Sequence, residues 1–408
     1  MSRDPGSKSS PADLAGRINA GDAPRGVFYV TGGGTELFPM LLARGGGSRT
    51  LLAGRIPYDA NDFRAILGFD PGPIADARAA RSLAMSAYRH ALTIRGDLPP
   101  GSVFGLGASS KLSRGTDERA GRSHEVHAAL QTGSITLSRS VTLPPGSDRA
   151  WEERINALLL LDLVARAKGV EAGIAFEAEG RCLARSSIVD EVGDAAECGV
   201  AGLPALLEGR SRRAVFDPGV GPGPDRDEPP TLILPGSFRP LHDGHLRMAA
   251  VAEGLVGARC DFELSIFHPE KPPLDYLSIA ARLRGFAGVA ARLHLTDAPT
   301  YLDKARLFPG CTFVVGHDTA LRIIDPRFYG GPAARDAVLA ELEALGARFL
   351  AFGRVDASGR FRGIDGEQGH PPAVMGFLAR CVRGVPEDAF RLDLSSTEVR
   401  ARQGIDPP

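Results

Sequence analysis

No stretch of this sequence approaches the roughly 20 apolar residues that a membrane-spanning helix needs. Its run of leucines, Leu158–Leu161, meets Asp162 at once. Neither sign of charge is in excess: 48 Lys and Arg against 49 Asp and Glu leave a net charge of -1. A protein that binds nucleic acid in bulk carries a basic surplus, so that class loses weight. Cysteine is scarce. Cys182, Cys198, Cys260, Cys311 and Cys381 are scattered, and none forms a CxxC pair. That pattern excludes a disulfide scaffold and fits a reducing, cytoplasmic compartment. The opening residues, MSRDPGSKSSPADLAG, lack an apolar core and carry Asp4 and Asp13, so no secretory or transit signal is expected. Glycine (50) and proline (31) are plentiful, and 43% of residues are hydrophobic. Such a chain builds real cores and many tight turns, and 408 residues suffice for two or three domains.

Residues 1–24 are small and polar and read as a flexible tail. In 215–230, VFDPGVGPGPDRDEPP, eight of sixteen residues are Gly or Pro, which suits a linker rather than a helix or a central strand. The chain then divides into domains 25–214 and 231–408. Both read as α/β. In the first, Gly26–Val30 is a strand ending in Thr31-Gly32-Gly33-Gly34, and a helical pattern spans 75–93. Residues 125–143 alternate as paired strands about Thr132-Gly133, and a long helix spans 148–168 with Ser147 as its cap. In the second, strands at 231–234, 261–267, 292–296, 312–316 and 348–352 alternate with helices at 243–256, 275–289, 300–307 and 332–345. That rhythm predicts a parallel sheet with right-handed crossovers, and a ligand at the C-terminal strand ends.

Strand 231–234 runs into Pro235-Gly236-Ser237-Phe238-Arg239-Pro240-Leu241-His242-Asp243-Gly244-His245-Leu246. Gly236 permits close backbone approach, Pro240 stiffens the loop, and Gly244 leaves room beside the histidines. His242 and His245, three apart at a helix start, can face one cavity. A helix N-terminus adds its own N–H groups and partial positive charge, so the segment suits phosphate. A zinc site would need a third ligand, and none is near in sequence.

These residues, F-x-P-x-H-x-G-H-L, resemble the signature of the HxGH nucleotidyltransferase superfamily. Ser395-Ser396-Thr397-Glu398-Val399-Arg400 resembles the SSTxxR motif of nicotinamide and nicotinate mononucleotide adenylyltransferases, although Ser395-x-x-Glu398 is also a plain capping box. Gly316-His317-Asp318 resembles that family's turn near the nucleotide. The resemblance covers about 231–403 and implies a Rossmann-like fold. It implies transfer of AMP from ATP, with Mg2+, to a pyridine mononucleotide, releasing pyrophosphate. His242, His245 and Arg400 would act on the phosphates. Gly236, Ser237, Phe238, Gly244, Ser396 and Thr397 would line them, and Gly316 and Asp318 would meet adenosine. Lys271 and Arg282 resemble basic positions on the mononucleotide side, and Asp325–Tyr329 lies where the family has an aromatic segment, without its usual Trp. Phosphopantetheine adenylyltransferases and cytidylyltransferases share HxGH but match the SSTxxR segment less well.

Residues 26–168 resemble the C-terminal domain of the competence/damage-inducible (CinA-like) family. Thr31-Gly32-Gly33, Gly45–Ser48 and Tyr58 carry the likeness. Some members of that family deamidate nicotinamide mononucleotide. Where they carry a catalytic Ser and Lys, this chain has Tyr29 and Phe63, so the domain reads as catalytically silent. The resemblance also suggests a homo-oligomer. Two further segments are weak candidates. His124-Glu125-Val126-His127 lies on an alternating strand, where residues three apart face opposite sides and cannot chelate together. Gly105–Lys111, GLGASSK, reads as a plain turn rather than a phosphate cradle. Trp151 reads as helix packing. The expected whole is an α/β adenylyltransferase acting on small molecules, without nucleic acid or membrane. The alternatives are a nucleotidyltransferase for another phosphorylated acceptor, or a nucleotide-binding regulator without turnover.

Overall fold

Ser10 caps and Pro11 opens the first helix, α1 (Pro11–Ile18), in the computed structural model, which describes residues 9–70, 74–114, 122–218, 229–268, 271–356, 358–366 and 369–391. The Ser10 hydroxyl accepts from the Asp13 amide at 3.1 Å, and Leu14, Ala15 and Ile18 are buried. Arg17 donates to the carbonyls of Glu171 and Ala172. The expectation of a flexible tail therefore fails for 11–18, because a short amphipathic helix hides in a small-residue composition.

The chain forms two units, Met1–Cys198 with His268–Ala280, and Gly199–Phe267 with Ala281–Pro408. The division departs from the expected 25–214 and 231–408. Its cause is a strand at Arg213–Phe216 that pairs antiparallel within the second sheet. Gly and Pro dominate the expected linker, but Val215 and Phe216 are apolar and extend that strand. Residues 219–228 of the linker lie outside the described residues.

The first unit is a mixed α/β layer. Its strands are β1 (Arg25–Thr31), β2 (Leu51–Arg55), β3 (Val103–Lys111), β4 (Glu125–Gln131), β5 (Ile135–Thr142) and, in a separate hairpin, β6 (Glu177–Ala178) and β7 (Arg181–Cys182), with β8 (Ile188–Asp194) closing the main sheet. The order is β2-β1-β3-β4-β5-β8; β1 is parallel to both neighbours, and the remaining pairs are antiparallel. The helices are α2 (Leu37–Leu42), α3 (Ala60–Leu67), α4 (Ala77–Ile94) and α5 (Arg149–Ala167). Residues 105–111 are strand, not the expected turn. A side chain on Gly105 would stand 2.1 Å from the Ala84 carbonyl oxygen, and one on Gly107 2.3 Å from the Ala84 nitrogen. These glycines let α4 lie directly on β3. Helix α5 is capped by Asp148, one residue after the expected Ser147, and Leu158–Leu161 are fully buried. Trp151 is 1% exposed and donates through its indole to the Arg181 carbonyl. Arg139, with no exposed surface, is held by Asp162 (2.9 Å) and Asp190 (2.8 Å), so its charge is paired inside the core.

The second unit opens with α6 (Leu203–Leu207) and β9 (Arg213–Phe216). Then β10 (Leu232–Pro235), α7 (Asp243–Val256), β11 (Cys260–Ser265), α8 (Tyr276–Leu283), whose residues up to Ala280 belong to the first unit, β12 (Leu293–Thr296) and α9 (Tyr301–Leu307) follow. The chain continues through β13 (Thr312–Gly316), α10 (His317–Ile324), α11 (Pro332–Ala344), β14 (Arg348–Phe352), the small hairpin β15 (Arg354–Val355) and β16 (Phe361–Arg362), α12 (Pro372–Cys381) and β17 (Val382–Val385). The sheet order is β17-β14-β13-β10-β11-β12-β9, parallel except for β9. Numbered among its parallel strands alone, this is 3-2-1-4-5-6 read from β12. The expected Rossmann-like sheet is present, and its strand order reverses between β10 and β13. No helix among the described residues is long and apolar enough to cross a membrane.

Candidate active site

The reversal puts two connections side by side at the C-terminal strand ends: the loop from β10 into α7, and the direct passage of β13 into α10. Three features fix the first. The Gly236 amide donates to the Glu263 carbonyl on β11 at 2.9 Å. Arg282 Nε donates to the Ser237 carbonyl at 3.1 Å. Phe238 takes φ +44° and is 1% exposed. A side-chain carbon on Gly236 would stand 2.6 Å from the Phe238 ring. Gly236 is thus required by its own chain before any ligand is considered.

His242 is the N-cap of α7, in extended backbone, and Gly244 is buried in its first turn. The two imidazoles stack, with centroids 3.8 Å apart and planes 29° from parallel. The His242 amide donates to His245 Nδ1 at 3.3 Å. A backbone N–H is always a donor, so Nδ1 is bare and the neutral ring carries its proton on Nε2. Burial, reinforced by His242, pushes the His245 pKa down to about 3. Burial also lowers that of His242. At neutral pH the helix N-terminus therefore presents a neutral N–H donor, and an arriving anion would draw the ring toward protonation.

The neighbouring strand end supplies Gly316, the N-cap of α10, beside which a side chain would meet nothing within 4 Å. Asp318 follows and pairs with Arg354 at 2.6 Å, both more than half exposed. Sequence reasoning missed Arg354. The signal was its place two residues after the end of an apolar strand. Phe390 packs edge-on against Phe352 at 4.9 Å, and the Arg247 guanidinium lies over the Phe390 ring. Ser396, Thr397 and Arg400 lie outside the described residues.

The structure therefore gathers Gly236, Ser237, Phe238, His242, Gly244 and His245 on one loop and helix start, with Arg282 held to that loop. Gly316 and Asp318 sit at the adjacent strand end. Lys271 belongs to the first unit, its ammonium 5.2 Å from the Phe69 ring centroid. Its segment is held within that unit by Tyr276, which is buried and donates to the Thr136 hydroxyl (3.0 Å) and the Gly133 carbonyl. In the Asp325–Tyr329 segment, Phe328 is exposed and the Tyr329 hydroxyl is bonded to the Ile323 carbonyl.

In the first unit, a cavity of about 430 Å³ at the end of β1 is lined by Gly33, Thr35, Tyr58, Arg149 and Glu153, among others. The Glu153 carboxylate accepts from the amides of Gly34 (2.9 Å) and Thr35 (2.6 Å) and from the Thr35 hydroxyl. Tyr29 is absent from the lining. It is 7% exposed and bonded to His90 Nδ1 at 2.8 Å, a partner the sequence did not reveal. Burial raises its pKa. Phe63 is 1% exposed. His124 bonds to Glu152 and His127 to Ser140, so the two histidines have separate partners.

No protein-family model matches this chain, and no curated protein matches it. Solved structures do. The competence/damage inducible protein CihA from Agrobacterium tumefaciens is similar over 41% of this chain and 96% of its own, at 17% identity and TM-score 0.28. A competence-damaged protein (CinA) superfamily member from Enterobacter cloacae is similar over 41% and 98%, at 19% identity and TM-score 0.30. Likeness at this level leaves activity to be read from the residues themselves.

Proposed function

We propose that the second unit is a nucleotidyltransferase that passes AMP from ATP to nicotinamide or nicotinate mononucleotide. The supporting observation is the stacked pair His242 and His245 at the N-terminus of α7, at the point where the parallel sheet reverses its order. An acceptor phosphate is already anionic and needs no strong base. Its oxygen attacks the α-phosphorus of ATP, the bond to the β-phosphate oxygen breaks, and pyrophosphate leaves. The protein's part is alignment and neutralisation. His245 Nε2–H donates to the oxygens where charge grows, and His242 and the first amides of α7 hold the neighbouring phosphate. Gly316 and Asp318 take the adenosine, with Arg354 as the partner that Asp318 must share. Arg400 and the amides of Ser396 and Thr397 take the outer phosphates. Arg282 orders the loop facing the acceptor. Magnesium enters as part of the ATP substrate, ligated by phosphate oxygens and water. The first unit, with Tyr29 tied to His90, serves as a non-catalytic domain.

The test is pyrophosphate release from the full chain with ATP and Mg2+. The acceptors are nicotinamide mononucleotide, nicotinate mononucleotide and phosphopantetheine, with CTP as an alternative donor. Turnover with a pyridine mononucleotide, lost in His245→Ala, is the expected result. Turnover with phosphopantetheine or CTP alone reassigns the acceptor or donor. ATP binding without any turnover removes the enzymatic reading.

A further inference from the structure

Nothing in the transfer chemistry calls for a strained, buried phenylalanine three residues beyond the strand, yet Phe238 is one. A non-glycine residue at φ +44° costs free energy and persists only where its surroundings over-determine it. Here they do. The loop is pinned on one side by the bond from Gly236 to Glu263 and on the other by Arg282 on the Ser237 carbonyl. The ring is fixed edge-on against Phe262 (5.6 Å) and Phe286 (5.2 Å), which also touch each other. What remains of it meets His245, also edge-on, with centroids 5.2 Å apart and planes at 76°. On its other border lies Gly236, where one added carbon would stand 2.6 Å from the ring.

We propose that Phe238 is a positioning residue: its ring, seated in the space left by Gly236, holds the His245 imidazole where Nδ1 takes the His242 amide and Nε2–H is left for the ligand. The histidine pair is thus set from below by an aromatic contact, and the strain at Phe238 follows from delivering that ring. The effect on rate rests on the nucleotidyltransferase reading; the effect on the imidazole does not.

Two substitutions approach the ring from different sides. Phe238→Leu keeps apolar bulk and removes the aromatic edge. Gly236→Ala keeps the ring but pushes it toward His245. The full-length chain labelled with ¹⁵N-histidine is observed by NMR, with His245→Gln identifying the His245 signals. The expected result is a single Nε2–H tautomer in the parent protein and a mixture in both variants. Turnover should fall by ~10²-fold, the cost of misplacing a reacting group by about 1 Å, with the KM for ATP held. In the Phe238→Leu background, Gly236→Ala should cost less than ~2-fold more, because the methyl no longer meets a ring. Unmoved His245 signals in both variants overturn the proposal, and so does a full additional loss in the double variant. If Phe238→Leu does not fold, Gly236→Ala carries the test by itself. If the parent protein turns over no acceptor, the function is wrong, while the tautomer still decides the positioning claim.

Discussion

Two parallel strands of this chain, β1 and β10, are each followed by glycine and lead toward a helix, and the two loops are built differently. After β1, Gly32, Gly33 and Gly34 all take positive φ. A side chain on Gly32 would stand 1.9 Å from the Ser110 carbonyl oxygen. The amides of Gly34 and of Thr35 beyond it are already taken by the Glu153 carboxylate. After β10 there is one glycine, the strain falls on Phe238, and the donors at the helix start belong to two histidines. Glycine after a strand shows only that some backbone approaches closely. In the first loop Gly32 meets Ser110 and the amides beyond it meet the protein's own carboxylate; in the second Gly236 meets the Phe238 ring, and the donors of the helix start are proposed to meet a phosphate. A phosphate site needs a donor aimed away from the fold's own acceptors, the part proposed for His245 Nε2–H.

The largest expected effect separates the two loops by rate. His245→Ala should slow transfer by ~10²–10⁴-fold, the range for losing a donor aimed at developing charge. Glu153→Ala should leave transfer at the parent rate. A variant pair in which both, or neither, reduce pyrophosphate release would dissolve the contrast. Glu153→Ala should act on folding instead. It strips the Gly34 and Thr35 amides of their acceptor, at a cost of about 1–3 kcal/mol, softened where the cavity admits water. Urea unfolding measures this, and an unchanged midpoint would mean the carboxylate does not claim those amides.

How much of this was readable beforehand follows the same physics. The strands at 312–316 and 348–352 and the helix at 243–256 stand where the sequence put them. Strands buried on both faces read as continuous apolar runs, and a helix that starts at His242 and stops at Gly257 carries its own punctuation. The strand Arg213–Phe216 was hidden because its partner, β12, lies far along the chain and its neighbours are Gly and Pro. Gly105 and Gly107 suggested a turn because their reason, a helix lying on the strand, is tertiary. Helix α1 was lost in small polar residues. At the site, the pairing of His242 with His245 was legible from spacing at a helix start. The contacts of Phe238, the pairing of Asp318 with Arg354, and the contact of Lys271 with Phe69 were not, since each depends on residues remote in sequence. The same holds for Tyr29, whose partner His90 is brought by α4.

The smallest expected effect is thermodynamic and belongs to the second loop. His245 has a folded pKa of about 3, set first by burial and then by His242, against 6.5 when exposed. The unfolded chain therefore binds a proton through this range that the folded chain refuses. Stability must rise with pH between these values and fall as acid is added. By pH 5 the penalty from this one group is on the order of 1–2 kcal/mol, and above the exposed value it vanishes. His245→Gln keeps a polar side chain without an imidazole to titrate. Urea midpoints for parent and variant at pH 7.5 and pH 5 isolate the difference. The variant should lose less stability than the parent on acidification. Glu153→Ala supplies the contrast from the first loop, because it keeps His245 and should retain the parent's acid slope. Parallel losses in the parent and His245→Gln would mean that His245 is already accessible to protons in the folded protein, and that the second loop does not hold its imidazole as a neutral donor.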